Sequence, residues 1–493
     1  MTTRVRTAVR AAAALVSLVL LLAVVTACGA GPVPNDAGRA REPSGAPARP
    51  APTTSAEEPP PAGTVSTFAL DVDTASYGYA RGKLREGVRP DPADVRTEEF
   101  VNAFAQDYAE PDGDGFAVHL DGARGTTEGS ALLRVGLRTR SVDEAGRRPA
   151  NLTFVVDVSG SMAEPGRLDL VRDALHTLVD RLGPGDQVSI VSFGDQARLL
   201  LSMTPADRRT ELHAAIDELQ AEGSTNLEKG LVIGYQEAAR AYRPVAVNRV
   251  VLLSDGLANT GDTTWNGILR RVSDHAARHI TLLCVGVGRE YGDQLMERLA
   301  DNGDGSAIYV ATPEEARQAF TRQLPANLDL RARDAKAQVA FNPAAVASYR
   351  LLGYENRALT EKDFRDDNKD GGEVGPGHSV TALYALTLKP GAAGQLATAT
   401  VRWQDPDSRA PAEAARAFDV ADLSTGLWEG TSPRFQVDAV VAAFAERLRE
   451  ADATMFGEEL DGLAGHASRL AATTEDSMVA ELADLIRTAR SLD

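Results

Sequence analysis

The apolar run Leu152-Thr153-Phe154-Val155-Val156 ends directly on Asp157-Val158-Ser159-Gly160-Ser161. A run of that length, rich in β-branched residues, predicts a buried parallel strand, and the Gly and Ser after it predict a loop at the strand's carboxyl end. Open α/β sheets bind ligands along that edge. One carboxylate and two hydroxyls spaced two residues apart can face a single point if the loop curls. An all-oxygen set of this kind suits a hard divalent cation such as Mg2+. The same five residues also read as a serine-rich turn whose aspartate caps the next helix.

Two further loops follow. Glu222-Gly223-Ser224-Thr225-Asn226-Leu227 offers hydroxyls ahead of a helical stretch, and Val250-Val251-Leu252-Leu253-Ser254-Asp255-Gly256 is a second buried strand ending in a carboxylate. Between and after them the chain alternates as an α/β fold does. Leu168, Val171, Leu175, Leu178 and Leu182 make one helical stripe, and Leu212, Ile216 and Leu219 make another. Residues 188–193, 280–287 and 308–310 read as strands, and 295–299 lie on a helix.

With these loops in order, residues 150–324 resemble the von Willebrand factor A domain. Its metal-ion-dependent adhesion site joins an Asp-x-Ser-x-Ser loop, a Thr from a second loop and an Asp from a third. The resemblance implies that Ser159 and Ser161 bind the metal directly through their hydroxyls. It implies that Thr225, Asp157 and Asp255 bind directly or through water, and that the ion is Mg2+, with Mn2+ or Ca2+ as substitutes. Thr225 also suits the N-cap of the helix starting near Leu227, although Ser224 or Asn226 could serve instead, and Asp255-Gly256 also reads as a turn.

A formal net charge of −18 argues against nucleic acid as a partner and suits a solvent-facing extracytoplasmic surface. Two cysteines, Cys28 and Cys284, exclude a disulfide framework. Arg4, Arg6 and Arg10 precede the apolar residues 11–25, a stretch short for a membrane span, and Val25-Thr26-Ala27-Cys28-Gly29 closes it. This segment resembles a bacterial lipoprotein signal, which implies that Cys28 is lipidated. Residues 29–63 are rich in Pro, Ala, Gly and Ser and read as a disordered tether.

Ser66-Thr67-Phe68-Ala69-Leu70-Asp71-Val72-Asp73-Thr74-Ala75-Ser76-Tyr77 resembles the N-terminal module of a bacterial von Willebrand A lipoprotein family, as do Arg96, Glu98 and Glu99, with Phe100 and Phe104 on the same helix. So do Val339-Ala340-Phe341-Asn342-Pro343, the residues 349–357 and Gly377-His378-Ser379-Val380-Thr381-Ala382-Leu383-Tyr384. A rival reading of Asp71 and Asp73 is the Asp pair of a haloacid-dehalogenase-like phosphatase, but Ala75 breaks that pattern and no acidic loop with a Lys follows. The acidic loop from Asp366 to Glu373 opens like a calcium loop yet has Gly377 at the twelfth position, so it reads as a solvated turn. The seven histidines are scattered without ligand spacing, which argues against a zinc centre or a Ser-His-Asp triad.

The expected architecture is a doubly wound, Rossmann-like α/β domain at 149–325, inserted in a β-sandwich made of 110–148 and 331–422, with a signal at 1–28, a tether at 29–63, an N-terminal family module at 64–109 and a helical tail at 434–493. The expected function is non-enzymatic. A lipoprotein anchored on the outer face of a bacterial cell membrane would bind a protein that presents an Asp or Glu carboxylate to the metal. The alternative is a structural envelope lipoprotein whose metal only stabilises the domain.

Overall fold

Runs that are apolar on both faces need cover on both sides, and the α/β domain supplies it with helices on either face of its sheet. The computed structural model describes residues 64–70, 73–141, 148–255, 265–276, 278–288, 293–303, 305–310, 312–320, 330–367, 369, 371–406, 408–450 and 456–493. Cys28, the tether, Asp71, Gly256, Asn368 and Asp370 lie outside the described residues.

The chain runs through strand β1 (Val65–Ala69), helices α1 (Ala75–Arg85) and α2 (Thr97–Asn102), and the antiparallel pair β2 (Phe116–Arg124) and β3 (Ser130–Thr139). The α/β domain follows: β4 (Ala150–Asp157), α3 (Leu168–Arg181), β5 (Gln187–Phe193), β6 (Ala197–Pro205), α4 (Arg209–Asp217), α5 (Leu227–Arg240), β7 (Val247–Ser254), α6 (Trp265–Ala276), β8 (Ile280–Val287), α7 (Asp293–Asn302), β9 (Ala307–Val310) and α8 (Pro313–Gln318).

Its sheet has the order β6-β5-β4-β7-β8-β9, and every pairing is parallel except β5 with β6. Leu152, Phe154 and Val156 point into one core with α3, α4 and α8, while Val155 points into the other with α5, α6 and α7. This two-sided cover explains why β4 is an unbroken apolar run and not an alternating one. The chain leaves β4 for β5 on one side and returns to β7 on the other. The strand order therefore reverses at β4, where open α/β sheets form a ligand crevice at the strands' carboxyl ends.

Beyond this domain lie β10 (Ala332–Phe341), β11 (Val346–Leu352), β12 (Ala358–Leu359), β13 (Gly372–Val374), β14 (Ser379–Leu388), β15 (Gln395–Gln404) and β16 (Pro411–Asp419). One sheet runs β12-β1-β10-β15-β16, with β13 also on β10, and the second runs β11-β14-β3-β2. Phe68, Leu133, Val339, Tyr384 and Val401 meet in the core between them. The α/β domain is thus inserted between β3 of one sheet and β10 of the other. Within the stretch 64–109, β1 pairs with β10 from Val65 to Ala69, so its first strand belongs to the sandwich.

The tail is helical, with α9 (Leu427–Gly430), α10 (Pro433–Arg449), α11 (Leu460–Thr474) and α12 (Ser477–Ser491). Ser432 caps α10 by accepting from the Phe435 N–H at 3.3 Å, and Pro433 fits the first turn because it lacks the donor. Phe435, Val440 and Phe444 pack with Tyr77, Leu84 and Phe100 from α1 and α2, over Leu132, Leu352 and Leu383 of the second sheet. Helix α1 also reaches the α/β domain. Ala75 enters the core under β7 and β8, and Arg81 pairs with Glu315 at 2.8 Å and Glu481 at 2.7 Å, joining α1 to the start of α8 and to α12.

Candidate metal centre

Asp157 ends β4 and is fully buried. Its Oδ1 accepts the Ser159 N–H at 2.9 Å, which folds the loop back on itself. Its Oδ2 accepts the Ser254 hydroxyl at 2.6 Å, which ties the end of β4 to the end of β7. The Ser159 and Ser161 hydroxyls then lie 3.0 Å apart. That is the curl the residue spacing demanded.

The second loop hangs on the first. Gly160 donates its N–H to Gly223 O at 2.9 Å, and Glu222 donates to Val158 O at 2.5 Å. Gly223 has φ of +69°, and a Cβ there would sit 2.2 Å from Asp195 Oδ2, so no other residue fits without displacement. Asp195 in turn accepts the Ser224 N–H at 2.8 Å and the Ser224 hydroxyl at 2.5 Å. The hydroxyl bond, then the amide bond, hold its carboxyl below the ordinary range. Thr225 is buried beside them, and the helix cap falls to Asn226, which accepts from the Lys229 N–H at 3.2 Å. Thr225 is therefore not needed as the cap.

Asp255 follows β7 and is also fully buried. Its Oδ2 accepts from Arg167 Nη1 at 2.7 Å, and its Oδ1 has no hydrogen-bond partner among the described residues. Arg167 donates to Ser161 O at 3.1 Å as well and pairs with Glu164 at 2.8 Å. Room for this guanidinium comes from Gly288, where a Cβ would lie 3.0 Å from Arg167 Nε. Burial pushes the Asp157 carboxyl up to about 6, against the pull of the Ser254 and Ser159 hydrogen bonds, and the charge of Asp255 adds to the rise.

The five residues expected at the site thus lie on three adjoining loops, two at the ends of β4 and β7 and one between α4 and α5, with loops one and two, and strands β4 and β7, joined by hydrogen bonds. An unsatisfied buried carboxylate oxygen costs about 1–3 kcal/mol or more. Two buried carboxylates, one with such an oxygen, beside serine hydroxyls fit a hard divalent cation by charge and by donor type. Sequence reasoning missed Arg167 and Asp195. Arg167 looks like an ordinary residue before a helical stripe, and Asp195 like a turn residue in Gly194-Asp195.

Asp73, half of the rival Asp pair, is a structural link. It is buried, accepts the Ala307 N–H at 2.8 Å and pairs with Arg357 at 3.4 Å, fixing the approach to α1 against β9.

Comparison with known proteins agrees with this layout. Residues 151–323 match the von Willebrand factor type A domain, residues 326–492 match the C-terminal domain of the uncharacterized protein YfbK, and residues 53–133 match a model described as von Willebrand factor. The uncharacterized protein YfbK of Escherichia coli (strain K12) is 36% identical over 355 residues, 70% of this chain and 61% of its own length. The uncharacterized protein sll0103 of Synechocystis sp. is 32% identical over 193 residues, 39% of this chain and 44% of its own. The matches therefore span less than two thirds of these relatives. A solved von Willebrand factor type A protein from Catenulispora acidiphila superposes over 76% of this chain and 89% of its own at 16% identity with a TM-score of 0.44, too low to carry a conclusion.

Proposed function

The chain belongs to the bacterial family that joins a von Willebrand factor type A domain to a YfbK-type C-terminal domain, and from that premise we propose that it is a lipid-anchored extracytoplasmic protein that binds a protein partner through a divalent cation. Asp157, Ser159, Ser161, Thr225 and Asp255 would hold the cation, Mg2+ first, with Mn2+ or Ca2+ able to replace it. The observation that carries this reading is the Asp255 Oδ1, buried without a hydrogen-bond partner among the described residues at a strand edge that also buries Asp157.

When bound, the ion supplies a Lewis-acidic position that an Asp or Glu carboxylate of the partner can complete. The chain's own residues prepare for it. The Ser254 and Ser159 donors fix both Asp157 oxygens, the Gly160–Gly223 bond holds the second loop against the first, and Arg167 fixes one Asp255 oxygen so that the other keeps a set position. Neutral serine and threonine oxygens leave the ion electron-poor, which favours an anionic partner group. Cys28, at the end of the apolar leader, would carry the lipid, and residues 29–63 would let the folded part stand away from the membrane.

The test is crosslinking of the intact protein in its native envelope, with Mg2+ and with EDTA. Partner capture should need the metal and should fall more in Thr225→Ala than Mg2+ affinity does, because both carboxylates remain. Capture that survives EDTA would place the partner on the sandwich or the tail, and Mg2+ binding with no capture would favour a purely structural ion. Cys28→Ser should leave the membrane fraction, and a variant that stays there after a salt wash would remove the lipid anchor from the account.

A further inference from the structure

The histidines that looked scattered in sequence are not all apart in space. His176 on α3 and His213 on α4 stack with ring centroids 4.9 Å apart and planes at 27°, and their Nδ1 atoms are 2.7 Å apart. Each outer nitrogen faces a carboxylate of the opposite helix: His176 Nε2 is 3.3 Å from Asp217 Oδ1, and His213 Nε2 is 3.2 Å from Asp180 Oδ1. The sequence explains this crossed arrangement. His176 and Asp180 are four residues apart on one helix, as are His213 and Asp217 on the other, so each helix places its pair on one face.

The hydrogen-bonding pattern has a chemical consequence. His213 Nε2 is hydrogen-bonded to Asp180 Oδ1, and a carboxylate only accepts, so that nitrogen carries the hydrogen and a neutral His213 has its lone pair on Nδ1, aimed at His176. His176 Nδ1 meets that lone pair at 2.7 Å either with a hydrogen or with its own lone pair, and in the second case the two repel unless a cation lies between them. A metal would take the place of the hydrogen between the two nitrogens. A carboxylate on the far nitrogen is the support that metal-binding histidines commonly have, since it fixes the tautomer and raises the basicity of the ligating nitrogen. Two nitrogens on a tetrahedral Zn2+ at about 2.0–2.1 Å stand about 3.3 Å apart. The rings would have to part by only about 0.6 Å to span it, and their side chains are 29% and 30% exposed, so solvent can reach the pair. Arg172 pairs with Asp217 at 3.3 Å and Arg209 with Asp180 at 3.7 Å, so each carboxylate has a second positive neighbour.

We propose that His176 and His213 form a two-nitrogen clamp for a borderline transition cation, Cu2+ most tightly and Ni2+ or Zn2+ less so, with Asp180 as a hydrogen-bonded support of His213 and Asp217 as a charged neighbour of His176. The order follows the general preference of nitrogen sites among first-row divalent ions. Among the described residues no group of three or more His, Cys, Asp or Glu side chains is placed to hold a metal, so solvent or a partner completes the sphere. Loading the clamp displaces any hydrogen held between the two Nδ1 atoms to solvent. Its imidazole donors separate it from the all-oxygen edge at Asp157 and Asp255, which suits Mg2+, and it does not depend on that edge being occupied.

The experiment is a Cu2+ titration of the full chain with Mg2+ in excess, read by electron paramagnetic resonance. The expected spectrum shows splitting from two equatorial imidazole nitrogens. His176→Gln and His213→Gln should each lose one of them and weaken binding at least about tenfold. Asp180→Asn should keep both nitrogens and lose affinity about 10–100-fold, the usual cost of removing a support. Zn2+ should raise the melting temperature of the wild type and leave that of the His176→Gln, His213→Gln double variant unchanged. The proposal is overturned if the double variant keeps the two-nitrogen spectrum, or if the wild type binds Cu2+ no more tightly than the double variant.

Discussion

Two of the regions in this molecule that bury carboxylates treat them differently. Where the sandwich meets the helical tail, each buried acid of α10 faces an arginine. Asp438 lies 2.9 Å from Arg134 and also accepts from Gln106 at 2.6 Å, while Glu446 lies 2.8 Å from Arg350 and accepts the Thr97 hydroxyl at 2.7 Å. At the edge of the α/β sheet, Asp157 has hydroxyl and amide donors, and Asp255 meets Arg167 with one oxygen while the other is unpaired among the described residues. A buried charge is tolerated when it is matched inside the fold and is costly when it is not. The two acids of α10 are therefore matched inside the fold, whereas the sheet edge points to a cation from outside as the partner of its acids.

The contrast is sharpest under mutation. Arg134→Ala strands the Asp438 carboxylate, which no water reaches, and should cost about 3–5 kcal/mol in urea unfolding of the full chain. That loss should be the same with Mg2+ or EDTA, and a loss confined to EDTA would erase the distinction between the regions. Asp157→Ala and Asp255→Ala should do the opposite. Mg2+ at about one hundred times its Kd should stabilise the wild type by about 2.7 kcal/mol, and a melting-temperature rise of that origin should vanish in both variants. In EDTA, Asp157→Asn should cost little, because burial already works against the charge it removes.

A smaller effect follows from Glu446. Burial raises its carboxyl, but the bonds from Arg350 and Thr97 outweigh it, so the group stays below its ordinary 4.5. A carboxyl depressed in the folded state contributes stability above the unfolded value and loses it as pH falls through the folded one. Stability should therefore drop below about pH 4.5, and Glu446→Gln should flatten that part of the curve. Because Arg350 is half exposed, the difference at neutral pH should be only about 1 kcal/mol. Smallest of all, Asp366→Ala in the acidic loop should leave the Mg2+ response unchanged, and a lost response there would move the metal away from the sheet edge.

The same contrast separates what the sequence could reveal from what it could not. Strands β4, β7 and β8 were legible because burial on both faces forces unbroken apolar runs that end at functional loops. Strand β6 was not, because it pairs with β5 alone and buries only Leu201 and Thr204, so its apolar signal is thin. The acids and hydroxyls of the sheet edge could be named because each stands at a strand or helix boundary. Arg167, Asp195 and the Arg134–Asp438 pair could not, since they act across 88, 29 and 304 residues of chain. The pairing of strand β1 escaped for the same reason: its partner β10 lies beyond the whole inserted domain. The crossed His176 and His213 had one local trace, the His-x-x-x-Asp spacing repeated on two helices.

The most direct test of the account is a calorimetric Mg2+ titration of the full chain beside its Asp255→Asn variant. The account predicts one saturable Mg2+ site per wild-type chain and its loss when Asp255 gives up its charge. A wild type with no saturable Mg2+ binding, or an Asp255→Asn variant that binds as the wild type does, would contradict it.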